Sequence, residues 1–334
     1  VTSDTPRPAA WPAWAALLLA TATLGVVLWA CTTAWGAVVH GHPAYAIVLG
    51  VSALAALLLG WRAPRRIGHL SNGLQAQAHR FGVWGIVWRG LLIVLGAGWI
   101  AALAWLRPYT AIEPALAAMQ SDSTVTVTET ATSIELRPVT TNGDTGVFFQ
   151  PGALVDAHAY AAVLRPLAEA GHTVVIAKQP LGIAFLALPA FDSAKASHPD
   201  ISEWVVAGHS LGGTVAAIEA AEQSTADENP SVVGLLLYAS YPANDISETL
   251  SVPVASISAS LDGLATPQKI AASRKMLPAD AIFTVIEGAS HAQFGSYGSQ
   301  RGDNEPLLSD ANAREQISEA SLSFVESLTD SLRK

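Results

Sequence analysis

Between Arg7 and Arg62 the chain carries no Asp, Glu, Lys or Arg. A helix on the surface of a water-soluble domain needs a polar face, whereas a helix apolar all round belongs in a bilayer or a deep core. Two apolar runs fill this stretch, residues 11–39 and 44–61, and His40-Gly41-His42-Pro43 separates them with turn-type residues. A third run covers residues 82–106 and is interrupted by Arg89. About 20 apolar residues of helix cross the hydrocarbon layer of a bilayer. The pattern therefore predicts a membrane region over residues 1–107 with three transmembrane helices. The first run is not closed by an A-x-A-like site, which argues against a removable leader. This region explains why only 13% of the chain is charged, where soluble domains have about 25%.

Charge also predicts orientation. Arg62, Arg65, Arg66, Arg80 and Arg89 crowd the connection between the second and third runs, and the first connection has none. Positively charged loops stay in the cytoplasm, so three crossings put everything after Leu106 on the outer face of the cell membrane. Trp11, Trp14, Trp35, Trp61, Trp84, Trp88, Trp99 and Trp105 lie near run ends, as interfacial anchors do. Cys31 is the lone cysteine and reads as a small apolar residue inside the first helix; it excludes an internal disulfide and a Cys-based metal site. A net charge of −9 argues against a nucleic-acid partner.

Past Leu106 the pattern changes. Residues 108–123, with Pro108 and Pro114, read as a connector, and residues 124–334 as a separate domain. Strand-like segments start at Val125, Ser133 and Val147, with Asn142-Gly143-Asp144 as a turn. Residues 173–177, 204–207, 232–238, 254–258 and 282–286 are further short β-branched or apolar runs. Helical patterns over residues 158–170, 214–223 and 311–332 alternate with them. The expected fold is α/β: an antiparallel start followed by a doubly wound, mostly parallel sheet of eight strands.

One motif carries chemistry. Gly208-His209-Ser210-Leu211-Gly212-Gly213 lies between an expected strand and an expected helix. G-x-S-x-G in that context is a nucleophile elbow, in which the glycines leave room for a strained turn that presents the serine. Elsewhere the same pattern is a chance glycine-rich turn. A serine hydroxyl needs a base. His291 is the one histidine after Ser210, and it follows the last expected strand in Glu287-Gly288-Ala289-Ser290-His291. That is the C-terminal edge of the sheet, where open α/β sheets place their sites. His209, inside the elbow, is expected to pack. The imidazole needs an acid to fix its tautomer; Asp262, after the strand at residues 254–258, is the first candidate and Asp245 the competitor. Asp156 reads as a helix cap. Backbone donors for an oxyanion are expected at Leu211 and in Gln150-Pro151-Gly152-Ala153-Leu154-Val155, where Gly152 permits a tight turn. Ala153 is the expected donor there and Leu154 the alternative.

The segment from Phe148 to Ala170, the elbow, Asp262-Gly263-Leu264-Ala265-Thr266-Pro267 and Gly288-Ala289-Ser290-His291-Ala292-Gln293-Phe294-Gly295 together resemble the bacterial α/β-hydrolase family, in its dienelactone-hydrolase-like or carboxymethylenebutenolidase-like group. The resemblance covers residues 124–332. Dienelactone hydrolases have a cysteine nucleophile where this chain has Ser210. The resemblance implies the α/β-hydrolase fold and a triad of Ser210, Asp262 and His291. The short connection between Tyr238 and Val254 leaves no place for a large lid of the lipase kind.

The expected activity is serine-dependent hydrolysis of an ester-like bond (carboxylic ester, thioester or lactone) through an acyl-enzyme. The expected partners are a small-molecule or lipid-like ester and the bilayer, with no metal or organic cofactor. An acyltransferase on the same fold is one rival, and a non-catalytic membrane binding or scaffold protein is the other.

Overall fold

The computed structural model describes residues 11–71, 82–141, 144–225 and 231–332. The chain forms two compact units, one of Val1–Val38 with Ala44–Arg107, the other of Val39–Pro43 with Pro108–Lys334.

In the first unit the long apolar runs are helical: α1 (Trp11–Thr33), α2 (Trp35–His40), α3 (Pro43–Ser71) and α4 (Val83–Trp105). Three spans, Trp11–Thr33, Pro43–Ala63 and Val83–Trp105, are long and apolar enough to cross a membrane, with mean hydropathies of 2.0, 2.1 and 1.9. Their large apolar side chains are largely exposed, Leu18 to 70% and Trp84 to 85%, as suits an apolar surrounding. Small residues let the helices approach: a Cβ on Gly96 would lie 3.0 Å from Leu19 Cδ1. Trp99 donates to Ser52 (3.0 Å), and Arg107 donates to the Thr33 carbonyl (2.9 Å) at the end of α1.

Three details differ from the expectation. The first run breaks at Ala34, where Thr32 and Thr33 hydrogen-bond back to the carbonyls of Leu28 and Trp29; such back-bonding bends helices. Helix α3 continues past the apolar run to Ser71, so Arg62, Arg65 and Arg66 sit on a helical extension rather than in a loop. Arg89 lies inside α4 and donates to the Gly85 carbonyl (3.1 Å). Arg7 and Arg80, like Asn142 and Gly143 of the expected turn, lie outside the described residues.

The second unit begins with α5 (Ala115–Ala118), then β1 (Val125–Glu129), β2 (Ser133–Pro138), β3 (Thr145–Gln150), α6 (Ala161–Glu169), β4 (Thr173–Ala177), α7 (Ala190–Ser197), β5 (Glu203–His209), α8 (Leu211–Thr225), β6 (Val232–Tyr238), β7 (Val254–Ala259), α9 (Pro267–Ser273), β8 (Ile282–Ile286) and α10 (Asp310–Leu332). The eight strands form one sheet in the order β1-β2-β4-β3-β5-β6-β7-β8. The β1–β2 and β2–β4 pairs are antiparallel and the rest are parallel. The expected architecture is therefore the observed one.

Side chains alternate across the strands and supply two cores. Val147, Phe149, Val205, Ala207 and Leu236 pack with Leu164 and Leu167 of α6 and Ile317 and Val325 of α10. Phe148, Trp204, Val206, Leu235 and Leu237 pack with Phe191 of α7 and Ala216, Ala217 and Ala220 of α8. Both faces are covered, which is why these strands read as continuous apolar runs. Because β4 and β5 flank β3, the chain reverses direction at β3, and the loops after β3 and β5 open the crevice where ligands of such sheets bind.

Residues 108–123, expected as a connector, pack closely within this unit. Tyr109 N–H donates to the Leu154 carbonyl (2.7 Å), Asp156 N–H to that of Tyr109 (2.9 Å), and Ile112 N–H to that of Ser296 (2.8 Å). Arg165 of α6 holds the carbonyls of Ala118 (2.7 Å) and Gln120 (3.0 Å).

Candidate active site

Strand β5 ends and α8 begins around Ser210, which stands in the left-handed region at φ +53°. That conformation is costly for a residue with a Cβ and persists only where its surroundings enforce it. Here Ser210 N–H donates to the Tyr238 carbonyl (3.0 Å), and the Ser210 carbonyl accepts from Ser240 Oγ (2.6 Å) and Thr214 N–H (3.2 Å). The flanking glycines are required by contact. A Cβ on Gly208 would lie 2.5 Å from the Gly212 carbonyl, one on Gly212 would overlap the Gln150 and Pro151 carbonyl oxygens, and one on Gly213 would lie 2.5 Å from Ser240.

Asp262 and His291, expected from separate loops, meet. His291 Nδ1 is 2.8 Å from Asp262 Oδ2, and both side chains are wholly buried. Asp262 Oδ1 accepts the N–H groups of Leu264 and Ala265, each at 2.7 Å. A carboxylate so used needs a donor at Oδ2, so the His291 proton belongs on Nδ1 and a lone pair on Nε2. His291 Nε2 is buried and has no hydrogen-bond partner among the described residues. Asp245, the competing acid, is exposed and caps Ser247 (N–H at 3.0 Å, Oγ at 2.7 Å). Asp156 is the expected cap: it accepts from His158 N–H (3.1 Å).

The backbone N–H groups of Ala153 and Leu211 have no acceptor among the described residues, whereas Leu154 N–H donates to the Gly182 carbonyl (2.8 Å). Gly152 is required for a reason other than the turn expected of it. A Cβ there would lie 2.7 Å from His209 Nδ1 and 3.0 Å from Tyr160 Oη, while the positive φ of this loop falls on Leu154 (+59°).

Several contributors carry no sequence signal. His209 packs as expected, but it packs against the site: its ring lies 4.5 Å from that of His291, stacks on Phe294, and has Nδ1 2.8 Å from Tyr160 Oη. Burial, and then the neighbouring His291, hold its imidazole well below the usual range, so it stays neutral. Asp303 staples the two loops together, accepting from Gly263 N–H (3.0 Å) and Ala292 N–H (2.9 Å). Burial pushes this carboxyl up, but backbone donors from Gly263, Ala292 and Asn304 outweigh it and hold the group below the carboxylate range. A cleft of about 250 Å³ lies behind the His291 loop, lined by Glu113, Ser290, Gln293, Asp303 and Arg314, and Ser210 does not line it.

A doubly wound sheet with a strained serine at the β5–α8 turn and a buried Asp–His pair on the two loops beyond it defines an α/β hydrolase. Residues 146–315 match the model of the Alpha/beta hydrolase family, and the chain belongs to that family. Similar solved structures include Est1E from Butyrivibrio proteoclasticus (13% identity, TM-score 0.46, covering 62% of this chain and 100% of that one). A thermostable esterase from Pseudomonas putida is also similar (17%, TM-score 0.46, 64% and 87%), as is a protein of Klebsiella pneumoniae assigned as a dienelactone hydrolase (15%, TM-score 0.41, 57% and 90%). No curated protein sequence matches significantly.

Proposed function

We propose that this α/β hydrolase is a serine esterase that cleaves an ester-like bond through an acyl-enzyme at Ser210. The observation that carries the reading is the unpartnered His291 Nε2, a buried lone pair beside the elbow whose proton is held on the far nitrogen by Asp262. In the reaction, Nε2 takes the Ser210 hydroxyl proton as Oγ bonds to the substrate carbonyl carbon. The carbonyl oxygen becomes an oxyanion that receives the Ala153 and Leu211 N–H groups. The imidazolium, facing the Asp262 carboxylate, returns the proton to the leaving alkoxide as the ester C–O bond breaks. Water then attacks the acyl group with Nε2 as base, and Ser210 leaves with its proton restored.

Apolar surface beside the site favours a lipid-like ester. The segment after β4 buries Ala184 and Ala187 and exposes Phe185, Leu186 and Leu188. It touches the loop after β3, since Gly182 accepts from Leu154 N–H and a Cβ on Gly182 would lie 2.9 Å from Leu154 Cα. An acyl or alkyl chain laid there removes apolar area from water on both partners. The three apolar spans support a multi-pass membrane anchor, and the arginines around the second connection support an extracytoplasmic site.

A fluorophosphonate probe tests the reading. It is expected to label the full-length protein at Ser210 and to leave Ser210→Ala unlabelled. Equal labelling of the mutant would move the nucleophile elsewhere, and a product ester formed with added alcohol would mark a transferase.

A further inference from the structure

The loop after β3 uses all but one of its N–H groups. Gly152 donates to Tyr160 Oη (2.9 Å), Leu154 to the Gly182 carbonyl (2.8 Å), Val155 to that of Gly152 (3.1 Å) and Asp156 to that of Tyr109 (2.9 Å). Ala153 N–H alone has no acceptor among the described residues. Its direction follows from peptide planarity. The plane that carries it also carries the Gly152 carbonyl, which Val155 holds. The preceding plane, Pro151–Gly152, is held at both ends, its N–H by Tyr160 and its carbonyl by Gln179 Nε2 (2.9 Å).

Behind that clamp runs a buried polar chain. Gln179 Nε2 also donates to Gln150 Oε1 (3.0 Å), and Gln150 Nε2 donates to Glu219 Oε1 (2.8 Å). Gln150, Gln179 and Glu219 are 0%, 6% and 4% exposed. Packing α8 on the sheet does not call for a carboxyl, since its neighbours in that contact are Ala216, Ala217 and Ala220. A buried carboxyl is costly unless it is paired or neutral. Glu219 has no cation in this chain of contacts, and its Oε2, like Gln179 Oε1, makes no hydrogen bond among the described residues.

We propose that Glu219, acting through Gln150 and Gln179, is a positioning residue that sets the Pro151–Gly152 peptide plane and so aims the Ala153 N–H at the oxyanion. The proposal rests on the esterase reading above. Glu219 is suited to the task in its neutral form. Burial, opposed by the Gln150 hydrogen bond and reinforced by the charges of Asp192 on α7 and Glu222 on α8, raises it to about 8. Lys195 of α7 is engaged by Asp192 (3.1 Å) and donates to Gln223 Oε1 (2.7 Å). Below that pH Glu219 itself adds no charge behind the loop. Above it a carboxylate faces the loop that must receive a second negative charge, so turnover falls as Glu219 ionises.

The test uses the full-length protein in detergent with p-nitrophenyl butyrate. Glu219→Leu and Gln179→Leu are expected to lower kcat about tenfold or more with little change in KM, within the 10²–10³-fold attributed to a whole oxyanion donor. Glu219→Gln keeps the acceptor and the neutral state; it is expected to retain most of the activity at pH 7 and to lose the alkaline decline in kcat. Thermal melts separate misfolding from misalignment, and Gln179→Leu carries the same test if Glu219→Leu does not fold. An alkaline decline unchanged in Glu219→Gln, or Leu variants that raise KM and spare kcat, would overturn the proposal while leaving the esterase reading intact. A wild type that neither turns over esters nor takes the fluorophosphonate would overturn the esterase reading first, and this proposal with it.

Discussion

Replacing Asp262 by Asn is the sharpest test of how the site works, because the structure fixes which way the new amide must turn. Oδ1 of Asp262 faces two backbone N–H groups at 2.7 Å, and Oδ2 faces His291 Nδ1 at 2.8 Å. If the amide NH₂ occupied the Oδ1 place, it would oppose two donors in a buried site, and each buried donor left unpaired costs about 1–3 kcal/mol. The carbonyl therefore stays at Oδ1 and the NH₂ turns to His291. It can only donate, so Nδ1 must accept and the imidazole proton moves to Nε2. The base then carries its proton where the lone pair is needed, and the imidazolium loses its counter-charge. The same exchange in a protease triad lowers turnover by about 10⁴-fold, or about 5.5 kcal/mol at 1.36 kcal/mol per decade. The shape of the side chain is kept and all three hydrogen bonds survive, so the melting temperature is expected to move little. Ester hydrolysis and the rate of fluorophosphonate labelling are the assays, and both are expected to fall together. A loss below tenfold in Asp262→Asn, or a large loss in Asp245→Asn, would mean that Asp262 is not the acid that fixes the His291 tautomer.

Gly212→Ala is expected to destabilise the catalytic unit. Overpacking a dense interior costs about 1–3 kcal/mol, and the upper end applies because the obstacles are the carbonyls of Gln150 and Pro151 rather than a movable side chain. At about 2–4 °C per kcal/mol for a domain of this size, a melting curve should drop by roughly 6–12 °C; an unchanged curve would mean the elbow is looser than described. Replacing Phe185 and Leu186 by Ser is expected to lower kcat/KM for octanoate esters about tenfold or more while sparing acetate esters, at about 0.8 kcal/mol per buried methylene. An equal effect on both chain lengths would remove the apolar rim from substrate binding. A reporter active only outside the cytoplasm, fused after Lys334, is expected to be active in intact cells. Digestion of the C-terminus only after the inner membrane is broken would place the site in the cytoplasm.

Features that depend on local pattern are legible in consecutive residues. A span without charges is a property of consecutive residues, so the membrane-length helices were legible, although the bend at Ala34 and the run of α3 to Ser71 were not. Strands buried on both faces are apolar throughout, so β4 and β6 could be bounded from the sequence, and the edge strand β8 could be bounded as a short β-branched run although most of it is exposed or half-buried, while the short helices α7 and α9 carry too little periodicity to stand out. The elbow was legible because a strained serine turn demands glycines at fixed spacing. Chain order and the sheet edge singled out His291, but left Asp262 and Asp245 as rivals. Tertiary structure alone separates their surroundings, burying Asp262 against the His291 imidazole and leaving Asp245 in solvent. It alone brought Tyr160, Gln179 and Glu219 to the loop after β3 and Asp303 to the two loops beyond β7 and β8. Their hydrogen bonds join positions from 8 to 69 residues apart in the chain, and the energy of each depends on burial and direction. An isolated Gln or Glu in the sequence shows neither, so the preorganisation of the site is decided by the fold.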